Sequence, residues 1–242
     1  MDHKTIADAL AAKARELAYG GKLVQADVTL IDELATSLLS RFVTVVPTTP
    51  APPIPAGTDL LTTRAALEVV EHEALVLEAY KDSEDVWTWG IGVTAKSGHD
   101  PLQYKDQPST VEHVLEVYLW LLRRVYVPDV LEAFAGFALS EAQFAAALSF
   151  HYNTGAILKT DWVGMVKRGQ LAAARTFLET HYLNGGDLKS RRLAEAKLFF
   201  DGVWQGDGKA VVWPVAKPSY RPDWNHPRSV DIRADMDKAI AA

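Results

Sequence analysis

The chain has 242 residues, 48% of them hydrophobic and 23% charged, which is the composition of a globular protein with ample material for a core. The absence of cysteine excludes disulfides and thiolate metal ligands, and a formal net charge of −6 does not favour nucleic acid as a partner. No apolar run of about 18 residues occurs, so the sequence predicts no stable membrane insertion.

The first part of the chain, residues 1–42, is predicted to form two amphipathic helices separated by Gly20 and Gly21. Its mixture of charged residues and alanine lacks the apolar core of a signal peptide, so none is expected. A helix pair of this kind packs either on itself or on a protein partner. Five prolines then mark residues 43–58 as an extended linker.

Residues 59–202 are predicted to form one compact domain. Ser109 with Glu112, and Ser140 with Gln143, have the spacing of a capping box at the start of a helix. Residues 203–242 are rich in tryptophan and proline, and we expect an irregular extension that is too aromatic for a disordered tail. The expected elements of the domain, in chain order, are a helix over about 60–79, a β segment over 80–95 and helices near 110–125, 128–136, 140–153, 162–168, 170–181 and 188–201.

One acidic residue, Glu73, lies on the apolar side of the helix that is predicted before Tyr80. At about 100° per residue, Val70, Ala74 and Leu77 fall on the same arc as this glutamate. A carboxyl group among apolar side chains is disfavoured in its charged form, and a carboxyl that keeps its proton near neutral pH is what a general acid requires. A charge tolerated at the rim of the core would give the same pattern.

The segment that follows, residues 81–94, is predicted to form a β-hairpin with its turn near Asp82. Its small face leaves room beside Thr88 for a ligand, although a tight hairpin alone would also explain the glycines. A carboxylic acid, a carboxylate and a hydroxyl suit glycosidic hydrolysis, because the acid protonates the leaving oxygen while the other two hold a water. The large face of the hairpin is expected to pack and consists of Trp87, Trp89, Ile91 and Val93. The small face consists of the residues that alternate with them, Thr88, Gly90 and Gly92.

The spacing of Glu73, Asp82 and Thr88 resembles the catalytic triad of phage-type lysozymes (endolysins), glycoside hydrolase family 24. The neighbouring text LEAYKD and TWGIG is similar to the same family. Two later segments, LSEAQFAAALSFHYNTG (139–155) and NGGDLKSRRLAEAKLFFDG (184–202), resemble its Asn-x-Gly helix end and its Arg-Arg-x-x-Glu helix. The resemblance covers about 59–202, and its pieces occur in the family's order.

The resemblance implies a mainly α, lysozyme-like α+β fold of two lobes, with a small β-hairpin lining the cleft. It implies hydrolysis of the β-1,4 bond between N-acetylmuramic acid and N-acetylglucosamine in bacterial peptidoglycan. Glu73 matches the general acid, and Asp82 and Thr88 match the groups that position water. The other matched positions are Tyr152, Asn153, Gly155, Gly90 and Gly92 on the substrate side, with the asparagine either contacting sugar or capping its helix, and Arg191, Arg192 and Glu195 as a structural ion network.

Two positions depart from the family pattern. Val93 stands where many members have histidine after the second hairpin glycine, and Asp85 stands where glycine is common. His72 and His99 are nearby in sequence, but no spacing argument gives either of them a role. The histidines lack the spacing of metal ligands and no glycine-rich phosphate loop occurs, so we predict neither a metal nor a cofactor.

Several functional alternatives remain open on the sequence alone. The chain could be an endolysin that waits in the host cytoplasm before release to the cell wall, or a muramidase fixed to a virion or secretion assembly. It could be a catalytically silent wall-binding or structural protein, or a lytic transglycosylase that uses the same glutamate. Retention of Glu73, Asp82 and Thr88 together favours hydrolysis. The stereochemical outcome depends on the carboxyl separation in space.

Overall fold

The structure is a computed structural model that describes residues 60–242, so the predicted helix pair (1–42) and linker (43–58) lie outside the described residues. No helix in the described part is long and apolar enough to cross a membrane. The helices are α1 (Thr63–Val70), α2 (Val111–Leu121), α3 (Val127–Ala133), α4 (Glu141–Thr154), α5 (Asp161–Lys167), α6 (Leu171–Thr180), α7 (Lys189–Asp201) and α8 (Arg233–Ala241). The strands are β1 (Val76–Lys81), β2 (Trp87–Gly90), β3 (Val93–Thr94), β4 (Lys209–Val212), β5 (Val215–Ala216), β6 (Arg221–Pro222) and β7 (Arg228–Asp231).

The helix predicted over 60–79 is wrong in its second half. Helix α1 ends at Val70, a turn follows, and the chain is extended from Leu75 onwards. The cause is long-range pairing: the Leu75 N–H donates to the Val211 carbonyl at 3.2 Å, and its carbonyl accepts from the Trp213 N–H at 2.9 Å. Because these partners come from the far end of the chain, helical periodicity in the local sequence carries no sign of them.

Strands β1, β2 and β3 form a three-stranded antiparallel sheet in that order. Tyr80 on β1 lies opposite Thr88 on β2, which fixes the register around the turn that carries Asp82. The expectation that the large face packs is confirmed for Trp89 and Ile91, which are fully buried. The sheet is therefore fixed to the core by these two buried side chains, and the turn that carries Asp82 connects β1 to β2.

Helix α4 forms the centre of the helical lobe and packs against α1, α3 and α7. It begins at the predicted capping box, in which Ser140 accepts from the Gln143 N–H at 3.2 Å and the Gln143 side chain accepts from the Ser140 N–H at 3.0 Å. The predicted helices between 110 and 201 all form, with ends that shift by four residues at most. The chain passes from α2 into α3 through a π-helical turn, Leu122–Tyr126. This turn lies ahead of Pro128, which has no N–H to donate.

The cap of α2 differs from the predicted one. Thr110, not Ser109, is the N-cap residue, and its hydroxyl accepts from the His113 N–H at 3.2 Å. Ser109 instead extends its backbone N–H to the Leu77 carbonyl at 2.7 Å, which ties the start of α2 to β1. A serine and a threonine side by side are both good N-caps, so the local sequence did not decide between them.

The extension, residues 203–242, is more regular than predicted. Strands β4 and β7 form one antiparallel pair, β5 and β6 form another, and α8 ends the chain. Helix α8 packs on α1 and α2, with Ile232 and Met236 fully buried. The Arg64 guanidinium stacks 4.0 Å from the centre of the Trp204 ring. The extension therefore contributes side chains to the core, while the division at residue 202 stays a prediction.

Candidate active site

Glu73 lies in the turn between α1 and β1 rather than on a helix. Its side chain is 21% exposed, and its Oε1 atom accepts a hydrogen bond from Arg191 Nη1 at 2.6 Å. The surroundings expected from the helical arc were apolar throughout, and this is wrong because a guanidinium group is the nearest partner. The turn brings the glutamate within hydrogen-bond distance of Arg191 on α7.

Arg191 is the centre of a buried ion network. Its Nε donates to Glu195 Oε1 at 3.1 Å and its Nη2 donates to the Ser149 carbonyl at 3.0 Å. Burial disfavours the charged guanidinium, but the carboxylates of Glu73 and Glu195 outweigh this and raise the pKa of Arg191. The predicted structural network of the Arg-Arg-x-x-Glu motif is therefore present, and it reaches the candidate acid directly.

Arg192 forms the second half of this network and is fully buried. Its Nη2 donates to Glu195 Oε1 at 2.9 Å and to Asn153 Oδ1 at 3.0 Å, and its guanidinium lies 5.0 Å from the centre of the Phe150 ring. Burial raises the pKa of Glu195, although both guanidinium groups oppose the rise. The Asn153 amide is thus held by an arginine, which is neither of the two roles expected from the sequence.

A group of tyrosines surrounds Glu73. Burial raises the pKa of Tyr80, and the carboxylates of Glu73 and Asp82 raise it further. Tyr118 and Tyr152 also have pKa values raised by burial and then by Glu73. All of these hydroxyls stay protonated at neutral pH. Glu73 contributes to the raised pKa of all three tyrosines, and Asp82 contributes to that of Tyr80 alone.

Asp82 is held by the turn that it begins. Its Oδ1 accepts from the Glu84 N–H at 2.9 Å and from the Val86 N–H at 3.0 Å. The Thr88 hydroxyl lies 3.2 Å from both Asp82 Oδ2 and the Val86 carbonyl, and its single proton can serve only one of them at a time. Thr88 is 3% exposed, so its contact with the Asp82 carboxylate is shielded from bulk water.

The glycines of the hairpin are explained by the backbone and by packing. Gly90 and Gly92 have φ values of +64° and +67°, which L side chains rarely adopt. A Cβ atom on Gly90 would lie 3.2 Å from Val114 Cγ1, so helix α2 fills the space beside this glycine. Gly92 is exposed, and a Cβ atom there would meet the Tyr152 hydroxyl at 3.6 Å, an ordinary contact distance. The same hydroxyl donates to the Ile91 carbonyl. Tyr152 thus joins α4 to the hairpin.

The comparisons with known proteins agree with this geometry. A model of the phage lysozyme family matches residues 70–195, which is more than half of the chain and contains Glu73, Asp82 and Thr88. The chain belongs to the phage lysozyme family. This lysozyme is therefore an enzyme that cleaves peptidoglycan, and its extension lies beyond the matched span.

One solved structure has the same fold, and two others superpose with lower TM-scores. An endolysin from the Escherichia coli phage FAHEc1 superposes with a TM-score of 0.52 and 24% identity, over 62% of this chain and 98% of that one. This confirms the predicted lysozyme-like α+β fold. The muramidase domain of SpmX from Asticaccaulis excentricus gives 0.45 and 24% over 57% and 95% of the two chains. A P22 lysozyme mutant gives 0.49 and 22% over 59% and 99%. A search of curated proteins gave no significant match.

The two histidines of this lysozyme that stand near the departures in sequence lie in different surroundings. Val93 is fully buried where many members have histidine. His72 lies beside the ion network, and burial together with Arg191 and Arg192 lowers its pKa to about 4. His99 belongs to a separate hydrogen-bonded chain in which its Nε2 lies 2.9 Å from the Tyr104 hydroxyl. Residues 60–242 contain no cluster of His, Cys, Asp and Glu suited to a metal ion.

Two contacts of this lysozyme were missed in the sequence. Arg191 pairs with Glu73 across 118 positions, and Arg221 of the extension donates to the Asp82 carbonyl across 139. The Arg-Arg-x-x-Glu motif gave a signal for Arg191, because it places two arginines three and four residues before a glutamate on one helix, where their side chains can meet. Arg221 had no such signal, since it stands in a segment without a recognised motif. The remaining matched position, Gly155, ends α4 in the left-handed conformation with φ +62°.

Proposed function

We propose that this lysozyme hydrolyses the β-1,4 bond between N-acetylmuramic acid and N-acetylglucosamine, with Glu73 as general acid and Asp82 and Thr88 positioning water. The observation that carries the proposal is the pairing of the Thr88 hydroxyl with Asp82 Oδ2 at 3.2 Å, beside a Glu73 carboxyl that is 21% exposed and held by Arg191 at 2.6 Å. A partly buried carboxyl together with a second carboxylate and a hydroxyl are the groups that glycosidic hydrolysis needs. The family match over this segment supports the same assignment.

The contacts of Glu73 determine which oxygen can carry the catalytic proton. Arg191 has only hydrogen-bond donors, so the Oε1 atom that it contacts must accept and cannot hold the proton in that arrangement. Oε2 has no hydrogen-bond partner among the described residues and is the oxygen left to protonate the leaving group. After the transfer, the Arg191 guanidinium stabilises the carboxylate that forms.

Asp82 and Thr88 supply the other half of the reaction. Both lone-pair directions of Asp82 Oδ1 are engaged by turn amides, so this oxygen orients the carboxylate. Oδ2 receives only the Thr88 hydroxyl and retains capacity to accept a proton from water. We assign the threonine to orienting Oδ2, with the water held between the two groups as it attacks the anomeric carbon.

The residues expected on the substrate side form contacts within the protein that support the site. Tyr152 fixes the hairpin through the Ile91 carbonyl, and Asn153 fixes Arg192. Both contacts hold parts of the lysozyme to one another. We therefore assign Tyr152 and Asn153 to the alignment of the two lobes around the sugar chain, with Gly155 ending the helix that carries them.

The test measures hydrolysis of purified peptidoglycan by the wild type, Glu73→Gln and Glu71→Gln, with chemical identification of the released ends. The amide of Glu73→Gln is nearly isosteric but donates no acidic proton, so the rate is expected to fall by about 10²–10⁴-fold. Glu71 is an exposed glutamate in the same turn, and its amide variant should keep the wild-type rate. Wild-type products should end in reducing N-acetylmuramic acid.

Other outcomes would redirect the assignment. Anhydro ends in the wild-type products would make the protein a lytic transglycosylase. A Glu73→Gln variant that cuts as fast as Glu71→Gln would remove Glu73 from the role of acid. A wild type that binds the wall without cutting it would point to a silent wall-binding protein.

A further inference from the structure

The extension lies along the outer edge of β1 from its start to its end. At the start, the Leu75 N–H donates to the Val211 carbonyl at 3.2 Å. At the end, the Lys81 N–H donates to the Tyr220 carbonyl at 2.7 Å. Since β2 occupies the other edge of β1, the strand that leads into the Asp82 turn is paired on both sides. Of these two neighbours of β1, strand β2 is part of the sheet and the other neighbour is the extension.

Arg221 connects the extension to the turn itself. Its Nη1 donates to the backbone carbonyl of Asp82, and its Nη2 donates to Asp85 Oδ1 at 2.9 Å. The guanidinium is a rigid planar fork, so these two bonds fix the first residue of the turn relative to the fourth. Beside it, the Tyr220 ring meets the Trp87 ring edge-on at 5.2 Å between centroids. The segment therefore contacts both strands that flank the turn, β1 at Lys81 and β2 at Trp87.

The turn needs an external anchor because of its charge and exposure. Asp82, Glu84 and Asp85 place three carboxylates within four residues, and Glu84 and Asp85 are exposed. Asp85 has a φ of +61°, in the left-handed region that aspartate tolerates better than most residues. Where the family pattern has glycine, this chain thus keeps the required backbone and adds a carboxylate that binds Arg221.

We propose that Arg221 is a positioning residue for the hydrolytic reaction, acting through the backbone of Asp82. This inference rests on the proposed role of Asp82. The amides that bind Asp82 Oδ1 belong to Glu84 and Val86, so the direction of the carboxylate follows the shape of the turn. By bracing that shape, Arg221 sets where Oδ2 and its water stand relative to the sugar.

Stability and catalysis should respond differently to the loss of Arg221. The side chains of Arg221 and Asp85 are 40% and 69% exposed, and exposed ion pairs contribute little to stability. A displacement of a catalytic group by about 1 Å, in contrast, lowers the rate by on the order of 10²-fold. A positioning role therefore predicts a large change in kcat at nearly constant melting temperature.

The experiment measures kcat, KM and Tm on peptidoglycan for the full chain carrying Arg221→Ala, Arg221→Lys or Asp85→Asn. Arg221→Ala should lower kcat by about 10–10²-fold with KM within about twofold and Tm within about 3 °C of wild type. Arg221→Lys, which can make only one of the two bonds, should be intermediate. Asp85→Asn tolerates the positive φ and should lose part of kcat. The control Arg233→Ala removes an exposed pair with Asp231 inside the extension and should keep wild-type kcat.

The decisive comparison repeats Arg221→Ala in the Asp82→Asn background, where a residue that acts through the Asp82 carboxylate has little further effect. Equal fold-losses of kcat in both backgrounds would overturn the inference. An Arg221→Ala variant with wild-type kcat would also overturn it. The same holds if the losses of kcat in Arg221→Ala and Asp85→Asn equal the fraction of each variant that is unfolded at the assay temperature. In those cases a strongly reduced but measurable kcat in Asp82→Asn would leave the proposed function standing. Wild-type kcat in Asp82→Asn would overturn the role of Asp82 and this inference with it.

Discussion

One arginine, Arg191, connects the candidate acid Glu73 to the core. Arg191 donates at once to Glu73, to Glu195 and to the Ser149 carbonyl, and its side chain is 6% exposed. A buried guanidinium without partners would be very costly, so the three acceptors explain why it can lie there. The candidate acid is consequently held by a group that the interior of the helical lobe fixes.

His72 gives a pH-dependent contribution at the same scale. Its pKa is lowered from 6.5 to about 4 by burial and by Arg191 and Arg192. As the pH falls, the unfolded chain therefore binds the proton at a higher pH than the folded protein does. The free energy of unfolding should therefore decrease between pH 6.5 and about 4, with the full contribution present above this window. The size expected is on the order of 1–3 kcal/mol.

Urea unfolding of the wild type and His72→Gln between pH 4 and 7 checks this prediction. The variant should have a flatter dependence of unfolding free energy on pH, since glutamine does not titrate. His226→Gln is the matched control, because the side chain of His226 is 75% exposed. His151 also has a pKa lowered by burial and contributes to the slope of both proteins. Parallel pH curves for the wild type and His72→Gln would contradict the assignment.

At the scale of elements, the end of α1 is decided by pairing and the start of α2 by a cap. Helix α1 has no glycine or proline at its end, so its sequence contains no stop signal. The chain leaves the helix because β1 gains hydrogen bonds from β2 on one edge and from the extension on the other. Helix α2, in contrast, starts where a single hydroxyl accepts an orphan N–H.

The cap of α2 can be tested by a pair of adjacent substitutions. Thr110→Ala removes the acceptor for the His113 N–H and should lower the free energy of unfolding by about 1 kcal/mol. Ser109→Ala leaves the backbone bond to Leu77 intact and should change it by less than about 0.5 kcal/mol. Chemical denaturation of both variants decides between the two residues. The opposite ranking would return the cap to Ser109.

At the scale of the whole molecule, the extension is part of the fold that carries the site. It supplies buried residues to the packing around α1 and α2 and hydrogen bonds to the edge of β1. Glu68 of α1 is buried and accepts from the Gln205 and Gly206 N–H groups, so even the first residues after α7 are fastened. Changes far from the cleft should therefore affect the stability of the catalytic domain.

Met236→Ala measures this contribution. Met236 is fully buried in α8, and replacing a buried methionine by alanine costs about 2–5 kcal/mol of unfolding free energy. Val203→Ala, at a residue that is 48% exposed in the same extension, should cost less than about 0.5 kcal/mol. Urea denaturation followed by tryptophan fluorescence compares the two. Equal small effects would mean that the extension does not stabilise the domain.

The sequence by itself determined the features that depend on neighbours along the chain. The period of apolar residues located the helices from α2 to α7, the Ser140–Gln143 pair marked the start of α4, and the turn residues at 82–85 marked the connection between β1 and β2. The motif spacing also identified the family that the match over residues 70–195 shows. These signals act over a few residues, and the physics that produces them is local.

The tertiary structure alone decided where Glu73 lies, what Arg191 contacts and what the extension does. Each depends on groups that are more than 100 positions apart: Arg191 to Glu73 is 118, and Arg221 to Asp82 is 139. A hydrogen bond or a buried ion pair depends on distance in space, and one sequence carries no record of which distant segments meet. The helix predicted through Glu73 failed for that reason, because pairing with β2 and with the extension outweighed a weak local preference.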